Sequence, residues 1–210
     1  MDDNTLTPKD YDRWDGRVGF KITAPQTTFP AGSVFNTVTL IHGSCADETV
    51  DAVVNAANKY LAAGGGICGV IFQKAGYSAL QNACDAYQTP LNDGEAVITP
   101  AFRLTNAKYI IHAVGPNFSV TPNAYDALCD AYYHSIKVLM ENGLHSISFP
   151  LISSGIFGGN LSNPAKTSAE MCLKAVGWFS KSHPDYAVDV RLCAYSAGEY
   201  QNVKQVFDNA

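Results

Sequence analysis

Val50-Asp51-Ala52-Val53-Val54-Asn55-Ala56-Ala57-Asn58, followed by Gly64-Gly65-Gly66-Ile67-Cys68-Gly69, is the stretch on which the fold turns. Residues 50–54 form a short apolar run, which reads as a strand buried on both faces. Asn55 to Asn58 follow as polar punctuation. The glycine run then leads into Ile67, Val70, Ile71 and Lys74-Ala75, spaced as one face of a helix. Strand, polar turn, glycine loop and helix make the start of an α/β unit. In such units ligands sit at loops beyond the carboxyl ends of the strands.

The same alternation continues outward. A helix is expected over 78–87, strands over 96–99 and 109–114, and a long helix over 123–142. That helix opens after Thr121-Pro122 and closes at Gly143, both boundary signals. An apolar strand is expected over 147–152. Asn163-Pro164 supplies an N-cap and a first helical residue for a helix running to 179. A last long strand covers 188–195, and Ser196-Ala197-Gly198-Glu199 has capping-box spacing for a C-terminal helix. Upstream, residues 34–41 are β-branched and partly alternating, hence a strand. Residues 1–33 carry Pro8, Pro25 and Pro30 and few periodic signals. They read as an N-terminal extension that packs on the domain or hangs loose, with 18–22 as a possible short edge strand. The expected organisation is one domain over 34–210. Its class is α/β, a three-layer α/β/α sandwich with a mixed, largely parallel central sheet.

Composition narrows the function classes. Of 210 residues, 47% are apolar and 16% charged, a globular balance with enough material for a core. The formal net charge is −5 with no Lys/Arg run, which argues against duplex nucleic acid as a partner. It does not argue against an anionic small ligand, because distant charges are screened and backbone dipoles act locally. No apolar stretch approaches the ~20 residues that span a bilayer, so no membrane partner is expected. Met1-Asp2-Asp3-Asn4 lacks the basic-then-apolar pattern of a signal peptide, so residence in the cytosol is the expectation. A monomeric state is expected as well. The six cysteines form no CxxC pair. They read as buried free thiols, and neither a metal nor another cofactor is called for.

Three segments carry candidate chemistry. Asn55 and Asn58 offer both donors and acceptors, which suits sugar hydroxyls. The glycine run lets backbone N–H groups approach a phosphate at a helix N-terminus. Gly64-x-Gly66-x-x-Gly69 also fits a dinucleotide fingerprint, but it does not follow a strand directly and lacks the acidic residue that would contact a ribose. No Gly-Lys-Ser/Thr follows, so a Walker loop is excluded as well. Ser153-Ser154-Gly155-Ile156-Phe157-Gly158-Gly159, after Phe149-Pro150-Leu151-Ile152, has the makings of a backbone anion nest. Phe157 sits in this glycine-rich polar loop with no obvious core to join, so it either packs on a sugar face or caps a local cluster. His112, in the third segment, reads as a satisfied structural histidine rather than a base. Cys68, at a helix start, is a candidate nucleophile without an identified base.

In this order, these segments resemble the macrodomain family. The matching pieces are residues 50–58, Gly64-Gly65-Gly66, Gly94-Glu95-Ala96, residues 109–116 and Ser154-Gly155-Ile156-Phe157-Gly158. Gly94-Glu95-Ala96 and Ile111-His112-Ala113-Val114-Gly115-Pro116 are most similar to the MacroD-like branch. Members of that branch hydrolyse mono-ADP-ribose esters on acidic side chains and deacetylate O-acetyl-ADP-ribose. The resemblance implies that ADP-ribose, free or on a modified protein, is the partner. It implies that Gly64, Gly65, Gly66 and Ile67 clamp the diphosphate from one side and Ser153, Ser154, Gly155, Ile156 and Phe157 from the other. Asn58 would bond the distal ribose, Phe157 would orient it, and Tyr195 would wall the adenine pocket. A water near the distal ribose would attack, helped by a ligand phosphate.

The sequence departs from the pattern twice. Many MacroD-like enzymes carry an Asp where this chain has Cys68, and a His where it has Phe72. A thiol cannot take a proton as that carboxylate would, and general-base help is worth roughly 10²–10⁴-fold. The candidate catalytic positions are therefore Asn58, Cys68 and Phe157. The family's adenine-binding Asp is replaced by Ser44, beside Cys45. A charged hydrogen bond is worth about 1.5–3 kcal/mol against roughly 1 for a neutral one, so weaker adenine selectivity is expected. A mono-ADP-ribosyl hydrolase is the leading reading, and a non-catalytic ADP-ribose reader is the alternative. An enzyme for a small ADP-ribose metabolite is a third.

Overall fold

The computed structural model describes residues 25–31 and 34–210. The expected strand over 18–22 lies outside them. Among the described residues, seven strands form one sheet in the order β1-β2-β7-β6-β3-β5-β4. They are β1 (Gln26–Ala31), β2 (Val34–His42), β3 (Ala52–Ala57), β4 (Ala96–Pro100), β5 (Tyr109–Val114), β6 (Ser146–Pro150) and β7 (Asp189–Ala194). The five inner strands β2, β7, β6, β3 and β5 run parallel, and β1 and β4 close the edges antiparallel. Their carboxyl ends therefore open on one side.

Helices cover both faces of the sheet. On one face lie α3 (Tyr125–Glu141), α4 (Pro164–Ser182) and α5 (Ala197–Phe207); on the other lie α1 (Gly66–Ala75) and α2 (Tyr77–Cys84). The strand alternation produces these two layers. In β3, Ala52 and Val54 join the α3–α4–α5 side, and Val53 and Ala57 join the α1–α2 side. The expected three-layer sandwich with a largely parallel sheet is the observed architecture.

Local chemistry starts and stops the elements. Asn163 accepts a hydrogen bond from the Lys166 amide, with Pro164 in the first turn of α4. Ser196 and Glu199 complete a reciprocal capping box on α5. Gly143, at φ +67°, ends α3 in a conformation that favours glycine.

Three expectations need correction. First, β3 extends to Ala57, so Asn55 is a strand residue and not a loop residue. It is paired in register with His112, and its side-chain Nδ2 lies 3.1 Å from His112 Nδ1, while its Oδ1 is buried without a hydrogen-bond partner among the described residues. Second, β6 ends at Pro150, short of Ile152. The Ile152 amide donates to the Tyr132 hydroxyl at 3.0 Å and its carbonyl accepts from Ser168 Oγ at 2.6 Å, so helices and not a strand hold that peptide. Third, the sheet reaches back to Gln26 through β1. Pro30 sits on this edge strand, where a missing N–H is tolerated.

Candidate functional site

The site is built from loops at the carboxyl ends of the parallel strands. They are residues 43–46 after β2, 58–65 after β3, 115–124 after β5 and 151–163 after β6, with Tyr195 after β7. Lys59 is the only Asp, Glu, Lys, Arg or His in these segments. Any attraction for an anion must come largely from backbone dipoles.

The glycine loop supplies one such set. Gly65 caps α1 without a side-chain bond, and Gly66 stands at φ +60°. Among the described residues, the amides of Gly66, Ile67 and Cys68 have no acceptor. They point along the positive end of a ten-residue helix. A side chain at Gly69 would begin 2.8 Å from the Gly64 carbonyl oxygen, so the loop folds directly onto α1.

The loop after β6 supplies the second set. Ser153 is buried at φ +58°, and its Oγ donates to the Pro116 carbonyl at 2.8 Å. Ser154 Oγ donates to the Leu151 carbonyl. Gly155 leads into a single helical turn, Ile156–Gly158. Among the described residues, the amides of Gly155, Ile156 and Phe157 have no acceptor. The Phe118 amide donates to the Phe157 carbonyl at 2.9 Å, which ties the loop after β5 to this one. Ile156 is 92% exposed. Phe157 is half-buried and belongs to neither core cluster, as expected of a ring without a core to join.

Asn58 is more constrained than its type suggests. Its Oδ1 accepts from the amides of Tyr60 and Ala62, and its Nδ2 donates to the Ala62 carbonyl at 2.7 Å. Both oxygen lone pairs are used, which leaves one N–H to offer a ligand. Ser44 caps the turn Cys45–Asp47 by accepting from the Ala46 amide at 3.3 Å. Cys45 is buried, its thiol donating to the Val54 carbonyl, and burial pushes its pKa far up. Tyr195 is 78% exposed at the rim.

The surroundings of Cys68 do not favour the expected nucleophile. The thiol is buried against the sheet, and desolvation raises its pKa despite the helix start. His112 is no base either. It is fully buried between Asn55 and Thr99, whose Oγ1 lies 2.9 Å from Nε2, and burial lowers its pKa to about 4. Glu95 accepts from the Asn92 amide and closes a turn. Sequence reasoning did not single out Tyr132, Ser168 and Asn117. Tyr132 and Ser168 hold the Ile152 peptide from below, and Asn117 Oδ1 accepts from the Ser119 amide in the neighbouring loop. Asn117-Phe118-Ser119 had a turn signal; the other two had none.

Comparison with known proteins agrees with this geometry. The family model described as Macro domain matches residues 54–168. An uncharacterized protein of Fusobacterium nucleatum is 43% identical over 141 residues, 66% of this chain and 79% of that protein. The ADP-ribose glycohydrolase MACROD1 of Mus musculus is 38% identical over 160 residues; the match covers 75% of this chain and 47% of that protein. Among solved structures, an Oceanobacillus iheyensis macrodomain with ADP superposes with a TM-score of 0.75 at 28% identity, over 88% of this chain and 95% of that one. A Trypanosoma brucei macrodomain in complex with ADP-ribose gives 0.69 at 28% identity, over 80% and 68%.

Proposed function

The chain belongs to the Macro domain family, and we propose that its loop end binds ADP-ribose and releases mono-ADP-ribose from modified proteins. One observation carries this reading. Two loops present amides without acceptors, those of Gly66, Ile67 and Cys68 and those of Gly155, Ile156 and Phe157. A diphosphate is a ligand that two such nests suit, and it brings its own acceptor oxygens. Relatives named as ADP-ribose glycohydrolases and neighbours holding ADP or ADP-ribose support the same ligand.

The chemistry follows from what the loops lack. They hold no carboxylate and no histidine, and the Cys68 thiol is held neutral by burial. A water attacking at the distal ribose must give its proton to a ligand phosphate. Asn58 donates its remaining N–H to a ribose hydroxyl, and the Phe157 ring limits where that sugar sits. Without a protein base, turnover is slower by up to roughly 10²–10⁴-fold than with one. An ester of O-acetyl-ADP-ribose presents a similar reacting centre and is a second candidate substrate.

A reader without turnover is favoured by the same lack of a base. The deciding assay mixes excess protein with a substrate mono-ADP-ribosylated on Glu or Asp and follows ADP-ribose release by mass spectrometry. Release that survives Cys68→Ala fits substrate-assisted hydrolysis. No release, with ADP-ribose binding intact by calorimetry, sinks the hydrolase and leaves the reader.

A further inference from the structure

The turn that carries the second amide set is held by two helices and not by the sheet. Ile152 follows the end of β6, and its amide donates to the Tyr132 hydroxyl at 3.0 Å. The Tyr132 and Ser168 hydroxyls lie 2.7 Å apart, and Ser168 Oγ donates to the Ile152 carbonyl at 2.6 Å. Proton counting sets the direction. Ser168 has one proton and gives it to Ile152, so Tyr132 gives its proton to Ser168. Three hydrogen bonds thus form a closed ring on the N–H and C=O of one residue. Tyr132 from α3, Ser168 from α4 and Ile152 are all fully buried. Desolvation raises the Tyr132 pKa well above the ordinary value, so the phenol stays a donor.

The next residue explains why such a restraint is needed. Ser153 stands at φ +58°, a conformation unfavourable for a non-glycine residue. The unpartnered amides of Gly155, Ile156 and Phe157 begin two positions later. Left alone, a turn of this kind would relax and scatter them.

We propose that Tyr132 and Ser168 are positioning residues for the diphosphate: their hydroxyl pair holds Ile152 so that the Ser153 turn aims the Gly155–Phe157 amides at the ligand. The proposal rests on the ADP-ribose reading for its ligand but not for its geometry. It predicts a selective effect. Adenosine has no phosphate and gains nothing from these amides, whereas ADP-ribose does.

The test uses the full chain with Tyr132→Phe and Ser168→Ala. Tyr132→Phe keeps the ring, which packs on Phe149 at a centroid distance of 5.0 Å, and removes only the hydroxyl. Ser168→Ala is milder, because Tyr132 can turn its proton to the Pro150 carbonyl, 3.3 Å away. Affinities for ADP-ribose and adenosine are measured side by side. Tyr132→Phe is expected to weaken ADP-ribose roughly tenfold, about one hydrogen bond's worth, and to leave adenosine unchanged. Ser168→Ala should weaken ADP-ribose less, and the double variant should be no worse than Tyr132→Phe by more than about twofold, since one ring is broken once. Unchanged ADP-ribose affinity in folded Tyr132→Phe overturns the proposal, as does an equal loss for both ligands. If Tyr132→Phe does not fold, Ser168→Ala alone decides by the same two ligands. If the unaltered protein binds no ADP-ribose, the functional reading fails instead. NMR backbone order parameters at Gly155, Ile156 and Phe157 then still test the positioning, which requires greater motion there in the variants and fails if the order parameters are unchanged.

Discussion

His112 is the residue whose environment makes the clearest solution prediction. Burial holds it neutral, with a pKa near 4 in the folded chain against an ordinary value near 6.5. Between these values the unfolded chain binds a proton that the folded chain refuses. Stability is therefore full above pH 6.5 and falls as the pH drops toward 4, by on the order of 3 kcal/mol at most. Asp51 acts in a separate window. Burial raises its pKa, but the Lys108 ammonium, the His145 amide and the Ser146 hydroxyl outweigh that and bring it to about 2. Its contribution is present above an ordinary carboxylate pKa near 3.8 and fades only below that. Denaturant melts from pH 7 to 4, with NMR titration of His112, check this. A His112 signal that titrates near 6.5 would refute the assignment. The sequence pointed to a structural histidine because an apolar strand surrounds it. It did not point to the partner, because Asn55 lies 57 positions away and reads locally as a loop residue.

At the scale of elements, α1 and the glycine loop form one rigid piece. A methyl at Gly69 would meet the Gly64 carbonyl oxygen at 2.8 Å, a contact that backbone must relieve by moving. Gly69→Ala should therefore shift the loop and weaken ADP-ribose binding by roughly tenfold or more. Helix propensity pulls the other way, because Ala is favoured over Gly by up to about 1 kcal/mol inside a helix. Affinity should thus fall without a matching fall in melting temperature. Calorimetry beside a thermal melt separates the two, and unchanged affinity would show that the loop yields freely. The elements differed in how well local sequence announced them. The starts of α4 and α5 were legible because a cap is a contact between neighbours, Asn163 with Lys166 and Ser196 with Glu199. The end of β6 was not, because the hydroxyls that terminate it come from Tyr132 and Ser168, 20 and 16 positions from Ile152. Likewise β1 was hidden, because Pro30 is a strand breaker everywhere except at an edge.

At the scale of the whole molecule, five parallel strands deliver every site loop to one end, and two antiparallel strands guard the edges. The β4 edge is blunted by Pro100 and by the Tyr87 hydroxyl, which donates to the Ile98 carbonyl. The β2 edge is covered by β1 itself. Six residues pair along it, Gln26 Nε2 donates to Thr39 Oγ1 at 2.8 Å, and the Phe29 ring packs against Gly177 of α4. A chain beginning at Val34 loses all three and exposes the nine-residue β2 as an open edge. Burial of a Phe side chain alone is worth roughly 1.5–3 kcal/mol when complete, and Phe29 is partly buried, so a loss of about 1–2 kcal/mol is expected from that ring. Such a chain should melt several degrees lower than one beginning at Ala24 and should self-associate as concentration rises, by light scattering. Equal melting and equal scattering would mean that β1 is an ornament on the sheet. The consequence reaches the ligand, because β2 carries residues 43–46 at its carboxyl end, and Gly43 donates to the Ala194 carbonyl at 2.9 Å. A frayed β2 loosens the Ser44 turn beside Tyr195. On the reading that the resemblance implies, with the adenine at Ser44 and Tyr195, truncation should weaken the adenosine part of the ligand first, the opposite selectivity to breaking the Tyr132–Ser168 pair.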